Sequence, residues 1–131
     1  PAEAGPECLK EILATIVEKD IPVIFPIEYR YTQQDDIWLS MFSQSDGCSI
    51  SVHQFADEDY VEYFAAIEPI FQKYNGRPHW GKLHTLGPKE FSNLYPHWQD
   101  FLSVRESVDP KGRMLNSHLK HLFGLGNSSH A

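Results

Sequence analysis

The run "IPVIFPIEYRYT" at positions 21–32 constrains this chain more than any other stretch. Ile21, Val23, Phe25, Ile27, Tyr29 and Tyr31 share one parity, and Pro22, Ile24, Pro26, Glu28, Arg30 and Thr32 the other. Period-two alternation in β-branched and aromatic residues predicts a strand. Proline cannot donate to a ladder, so Pro22 and Pro26 on one face predict an edge position, at least at the start. A second alternating run, "CSISVHQF" at 48–55, sets Ile50 and Val52 on one side and Ser49, Ser51, His53 and Phe55 on the other.

Helical periodicity surrounds these strands. Residues 6–19 carry Pro6 in a first turn, and Leu9, Ile12, Leu13 and Ile16 on one face. Residues 56–76 form the strongest helical pattern, with Tyr60, Phe64, Ile67, Phe71 and Tyr74 on a stripe. Asp57, Glu58 and Asp59 suit its N-terminus, Gly76 its end, and Pro69 predicts a kink. "RPHWGKLHTL" at 77–86 predicts a third strand, with Trp80, Lys82 and His84 alternating with His79, Gly81, Leu83 and Thr85. Residues 87–108 read as helix in pieces, broken near Pro96; 109–115 as a turn; 116–124 as a short last helix. "IWLSMF" at 37–42 reads as a loop or short strand, and "GNSSHA" at 126–131 as a polar tail. The order α-β-β-α-β-α predicts an α+β fold, with helices packed on one face of an antiparallel sheet.

A chain of 131 residues fits one domain, and 41% hydrophobic residues are enough for a core. The net charge of −7 argues against a nucleic-acid or anionic-membrane partner, because both need clustered cations. No apolar run approaches the roughly 20 residues that span a bilayer. Cys8 and Cys48 make neither a disulfide framework nor a zinc site; as free thiols they suit a reducing, cytoplasmic setting. The start lacks a signal-peptide pattern and an initiator Met, so the chain is processed or part of something longer.

Few residues invite chemistry. Glu28 and Arg30 point to one strand face, roughly 6.6 Å apart along it. They read either as an exposed ion pair or as a polar clamp for a hydroxylated substrate. His53 is a structural histidine or, with Glu28 or Lys82 as cross-strand neighbour, a proton partner. In Trp80-Gly81-Lys82 a strand glycine leaves room for close approach, and the lysine stabilises developing negative charge or only guards an edge. The histidines 79, 84, 97, 118 and 121 lack metal-ligand spacing. "DPKGR" reads as a plain turn more than a phosphate loop.

"FPIEYR", "HQF", "RPHWGKLHTL" and "LYPHWQDFLSVRESVDPKGRMLNSHLKHLFG", in that order, resemble the C-terminal part of the sugar-acid lactone oxidases and alditol oxidases. These are FAD-linked proteins of the vanillyl-alcohol oxidase type. The resemblance runs from Pro22 to Gly124. It implies a substrate, or cap, portion that works with an N-terminal FAD-binding domain of the same protein. It implies oxidation of a carbinol carbon of an aldonolactone or sugar alcohol, with hydride passing to flavin and electrons on to oxygen or another acceptor. The site residues it implies are Glu28 and Arg30 to orient the hydroxyls, and His53 or Glu28 to take a proton. Lys82 would place a cation against the flavin, with Trp80 and Gly81 beside it. Phe55 is apolar where a polyol site would place a hydroxyl. The alternative reading is a non-catalytic α+β module that binds a small ligand or a protein. An isolated piece with an uncovered sheet face is expected to form dimers.

Overall fold

The computed structural model describes residues 1–125; the tail at 126–131 lies outside them. The chain divides into two compact units. The first holds residues 1–36 and 40–82, the second residues 37–39 and those from 83 onward.

In the first unit a short 3-10 turn, Ala2–Ala4, leads into helix α1, Gly5–Glu18. Strands β1 (Glu28–Thr32) and β2 (Gly47–Ser51) pair antiparallel, with Tyr29 opposite Ile50 and Tyr31 opposite Cys48. Helix α2, Val61–Lys73, follows. Cys8 and Ile12 of α1 and Tyr63, Ile67 and Ile70 of α2 form the buried cluster, with Ile27, Ile50 and Val52 from the sheet side packed against it. Ile12 and Ile67 are almost wholly removed from water, so truncating either to Ala costs about 2 to 5 kcal/mol. Gly5 is buried where a Cβ would run into Cys48 Sγ and Tyr29 Oη, so a larger residue would have to push those side chains or α1 aside. Burial, with Cys48 beside it, pushes the Cys8 thiol up to about 11, which leaves it little thiolate at neutral pH. Both cysteines are free; Cys8 is buried and Cys48 only half-buried.

Helix α2 closes on a Schellman motif. Asn75 takes the left-handed conformation at φ 56, its N–H donates to Gln72 O, and the Gly76 N–H donates to Phe71 O at 2.8 Å. A Cβ on Gly76 would lie 2.9 Å from that same carbonyl. At the other end the Asp59 carboxylate accepts the Val61 N–H. The buried stripe of α2 is Tyr63, Ile67 and Ile70, whereas Phe64, Phe71 and Tyr74 flank it half-buried and Tyr60 is exposed. The predicted stripe was thus rotated about its true centre.

The second unit is helical: α3 (Pro88–Leu94), α4 (Trp98–Val108) and α5 (Ser117–Leu122). Its core is aromatic, with Phe91, Tyr95, Trp98 and Phe123 all buried. The Trp98 ring lies 5.7 Å from Phe91 and 5.6 Å from Phe123. The break between α3 and α4 falls at Tyr95-Pro96, as proline chemistry requires. Glu90 accepts the Gly87 N–H at the start of α3, and Asn116 accepts the Leu119 N–H at the start of α5.

The α+β class holds, with two corrections to its strands. The third strand predicted at 77–86 does not form, and the sheet has two strands among the described residues. Pro78 removes a ladder donor. His79 then offers its side chain and its carbonyl to the residues that follow, so the segment folds as a turn. The strand predicted from Ile21 begins only at Glu28, after the second proline. No helix among the described residues is long and apolar enough to cross a membrane.

Candidate functional site

The site begins with strand register. Glu28 pairs with Ser51 and Arg30 with Ser49. The long polar side chains thus share the face opposite the core with two short ones, which leaves them room. His53 has the parity of Ser49 and Ser51 and follows just beyond β2.

Arg30 Nη2 donates to Glu28 Oε2 at 2.8 Å, and His53 Nε2 lies 3.8 Å from that same oxygen. An exposed Arg–Glu pair contributes about 0–1 kcal/mol, so it adds little to stability. The distance to His53 is too long for a hydrogen bond. Its Nε2 is nevertheless buried, with no hydrogen-bond partner among the described residues. Buried polar atoms are normally satisfied, and leaving one unmade costs about 1–3 kcal/mol. A guanidinium donor, a carboxylate acceptor and an imidazole thus stand side by side on one sheet face.

Phe25 is the member that parity reasoning missed. Its alternation places it with Ile27 on the core side, but its ring lies 5.5 Å from the His53 ring, tilted by 51°. The chain bends at Phe25 between the two prolines, so strand parity does not carry through it. Phe55 meets Phe25 edge-on, also at 5.5 Å. The signal available in the sequence was Pro26 itself, which interrupts the alternation directly after Phe25.

Trp80, Gly81 and Lys82 sit in the turn that replaces the third strand. Gly81 N–H donates to His79 Nδ1 at 3.0 Å, and Lys82 N–H to His79 O at 3.0 Å. The structure therefore does not bring Lys82 onto the sheet face of Glu28 and Arg30 by strand pairing. The Lys82 side chain is exposed and makes no hydrogen bond or ion pair among the described residues. Gly81 is not crowded: a Cβ there would meet only the His79 ring, at 3.5 and 3.6 Å, and its φ is not left-handed. Arg77, two residues before the turn, lies with Nη1 2.9 Å from both Ser43 O and Ser43 Oγ and 3.3 Å from Ser40 O. The arginine of this cationic cluster thus fastens a loop.

The remaining candidates are accounted for locally. Asp109 accepts the Arg113 and Met114 N–H groups at 2.9 Å each, which holds its carboxyl below the usual range. Those amides are the ones a phosphate would have needed. His97 bonds Asp100 through Nδ1 at 2.9 Å and stacks on Trp38, and the His84 and His118 rings are neighbours at 5.7 Å. Among the described residues no three metal-ligating side chains gather.

Known proteins resemble this sequence. The family model described as D-arabinono-1,4-lactone oxidase matches residues 1–122. An L-gulono-1,4-lactone dehydrogenase of Mycobacterium tuberculosis is 38% identical over 124 residues, 95% of this chain and 29% of that protein. An L-gulonolactone oxidase of Mus musculus is 36% identical over 128 residues, 94% of this chain and 29% of that protein. An alditol oxidase of a Streptomyces species is 28% identical over 103 residues, 78% of this chain and 25% of that protein. The chain spans under a third of the length of these relatives. With the family pattern covering all but the last few residues, the chain belongs to the D-arabinono-1,4-lactone oxidase family.

Proposed function

We propose that this chain is the substrate-binding portion of an FAD-dependent oxidoreductase that oxidises the CH–OH group of an aldonolactone or sugar alcohol. The observation that carries the reading is the convergence of Arg30 and the unpartnered His53 Nε2 on one carboxylate oxygen of Glu28. Arg30 and Glu28 orient the substrate hydroxyls, one as donor and one as acceptor, and His53 Nε2 takes the hydroxyl proton. Phe25 packs against one side of the imidazole.

FAD, when bound, supplies the hydride acceptor. The turn fits such a group. Lys82 offers an ammonium with no partner of its own among the described residues, and Gly81 is a glycine that neither backbone conformation nor crowding within the chain demands. Both make sense if Trp80, Gly81 and Lys82 face an electron-rich ring held mainly by an FAD-binding domain elsewhere in the same protein. The free thiols support a cytoplasmic setting.

The test uses the full-length protein that contains this chain. It is expected to purify with a flavin absorbance band that bleaches when an aldonolactone or alditol is added without oxygen. Replacing Arg30 with Ala should raise KM, and replacing His53 with Gln should lower kcat by about 10²-fold or more. A full-length protein that binds no flavin and oxidises no sugar lactone or alditol sinks the reading.

A further inference from the structure

Glu28, Arg30 and His53 alone do not distinguish a closed lactone ring from an open chain. The two phenylalanines beside them bear on that choice. Phe25 and Phe55 stand at 84° to one another, ring centroids 5.5 Å apart, and Phe25 continues into the His53 ring. Neither belongs to the buried cluster or packs against it. Phe25 is 43% exposed and Phe55 47% exposed, although large aromatics are usually covered. Two half-open rings that meet at a right angle make an apolar corner, and the imidazole forms its polar end.

We propose that Phe25 and Phe55 are specificity-determining residues that select the closed ring of a 1,4-lactone over an open-chain alditol. The proposal rests on the assignment of Glu28, Arg30 and His53 as the substrate-binding groups. A five-membered lactone presents a compact face of ring C–H bonds, and aromatic rings pack well against such a face. Its ring torsions are already fixed, so little freedom is lost when it is seated. An alditol carries a hydroxyl on every carbon. Laid along the same corner, it must turn hydroxyls against phenyl rings that offer them no partner, and each gives up water without compensation. It must also freeze its carbon chain. An apolar wall rejects an added hydroxyl only modestly, by about 10²-fold at most, so the expected preference is of that order.

The experiment measures kcat/KM of the full-length protein for a 1,4-lactone and for the matching alditol, and Kd for both by calorimetry. Calorimetry needs no turnover. The variants are Phe55→Ser, Phe25→Leu and Phe55→Leu, with folding checked by circular dichroism; both rings are half-exposed, so the fold should survive. The expected result is that the native protein favours the lactone, and that Phe55→Ser reduces the lactone-to-alditol ratio by about tenfold in kcat/KM, Kd or both. The two Leu variants should keep most of the preference. A native protein that binds or turns over the alditol as well as the lactone overturns the proposal. So does a ratio unmoved by Phe55→Ser. Arg30→Ala separates this from the parent reading: it should weaken both ligands together. If it weakens neither, the trio is misassigned, whatever the ratio in the phenylalanine variants does.

Discussion

Two turns in this molecule gather cations around a glycine, and they answer to different causes. In the turn at 109–114 the acid and the glycine are used inside the chain, while the Lys111 and Arg113 side chains are exposed and, like Lys82, make no hydrogen bond or ion pair among the described residues. Asp109 takes two backbone N–H groups, and Gly112 adopts φ 60, a conformation that other residues enter at a cost. In the turn at 79–82, His79 holds the backbone, yet Gly81 is neither strained nor crowded and the Lys82 ammonium is left over. The first turn explains its acid and its glycine. The second keeps a glycine that neither its backbone nor its surroundings require, and that glycine is where the two turns differ. Gly76 sharpens the contrast, since its Cβ would collide with Phe71 O.

Three experiments bear on that difference, and a fourth measures a contact outside both turns. The largest effect belongs to Lys82→Ala in the full-length protein. Turnover is expected to fall by about 10²-fold or more, as when one charge-stabilising group is removed, with the thermal midpoint unchanged. A lost midpoint with intact turnover would make Lys82 structural and dissolve the contrast. Next come the paired glycine changes. Gly112→Ala should destabilise by about 1 kcal/mol because of its left-handed backbone, whereas Gly81→Ala should leave denaturation curves unchanged and weaken flavin retention instead.

The third test is a pH titration of Asp109. Its folded pKa is depressed by the Met114 and Arg113 amides. Its contribution to stability is therefore complete above its unfolded value of about 3.9 and is lost as pH falls through the lower folded value. Native protein and Asp109→Asn, compared by denaturant melts, should differ at pH 7 and converge as the solution is acidified below about pH 4. The smallest effect is expected at Glu11, which accepts from Lys73 Nζ at 2.7 Å and Tyr74 Oη at 2.9 Å. Its carboxyl is lowered first by Lys73 and then by Tyr74. A slight loss of stability in Glu11→Gln at neutral pH, vanishing in acid, is the expected outcome.

Much of this was legible in the residues. The face assignment of Glu28, Arg30 and His53 followed from parity, because β1 and β2 pair where alternation is undisturbed. The break at Pro96 and the turn after Val108 followed from proline and glycine chemistry. The third strand did not, because alternation was read through Pro78 and Gly81 while a local bond was overlooked: an imidazole two residues before a glycine can take its N–H and win over the ladder. Phe25 was placed on the wrong side for a related reason, since a bend between prolines resets parity. The stripe of α2 was displaced because both sides of it are apolar, and periodicity alone does not choose between them.

The Arg77 clamp has a consequence for how this sequence can drift. Its acceptors are mostly main-chain oxygens, at Ser40 and Ser43, with one hydroxyl besides. The side chain at position 41 can therefore change with little penalty to the clamp, whereas the Ser40 hydroxyl, which donates to Asp35 and accepts the Phe42 N–H, holds the loop itself. The guanidinium cannot be swapped for an ammonium without losing its planar fork. Tolerance and intolerance sit at opposite ends of one contact. A mutational scan should find position 41 forgiving and Arg77, more than thirty positions away, unforgiving.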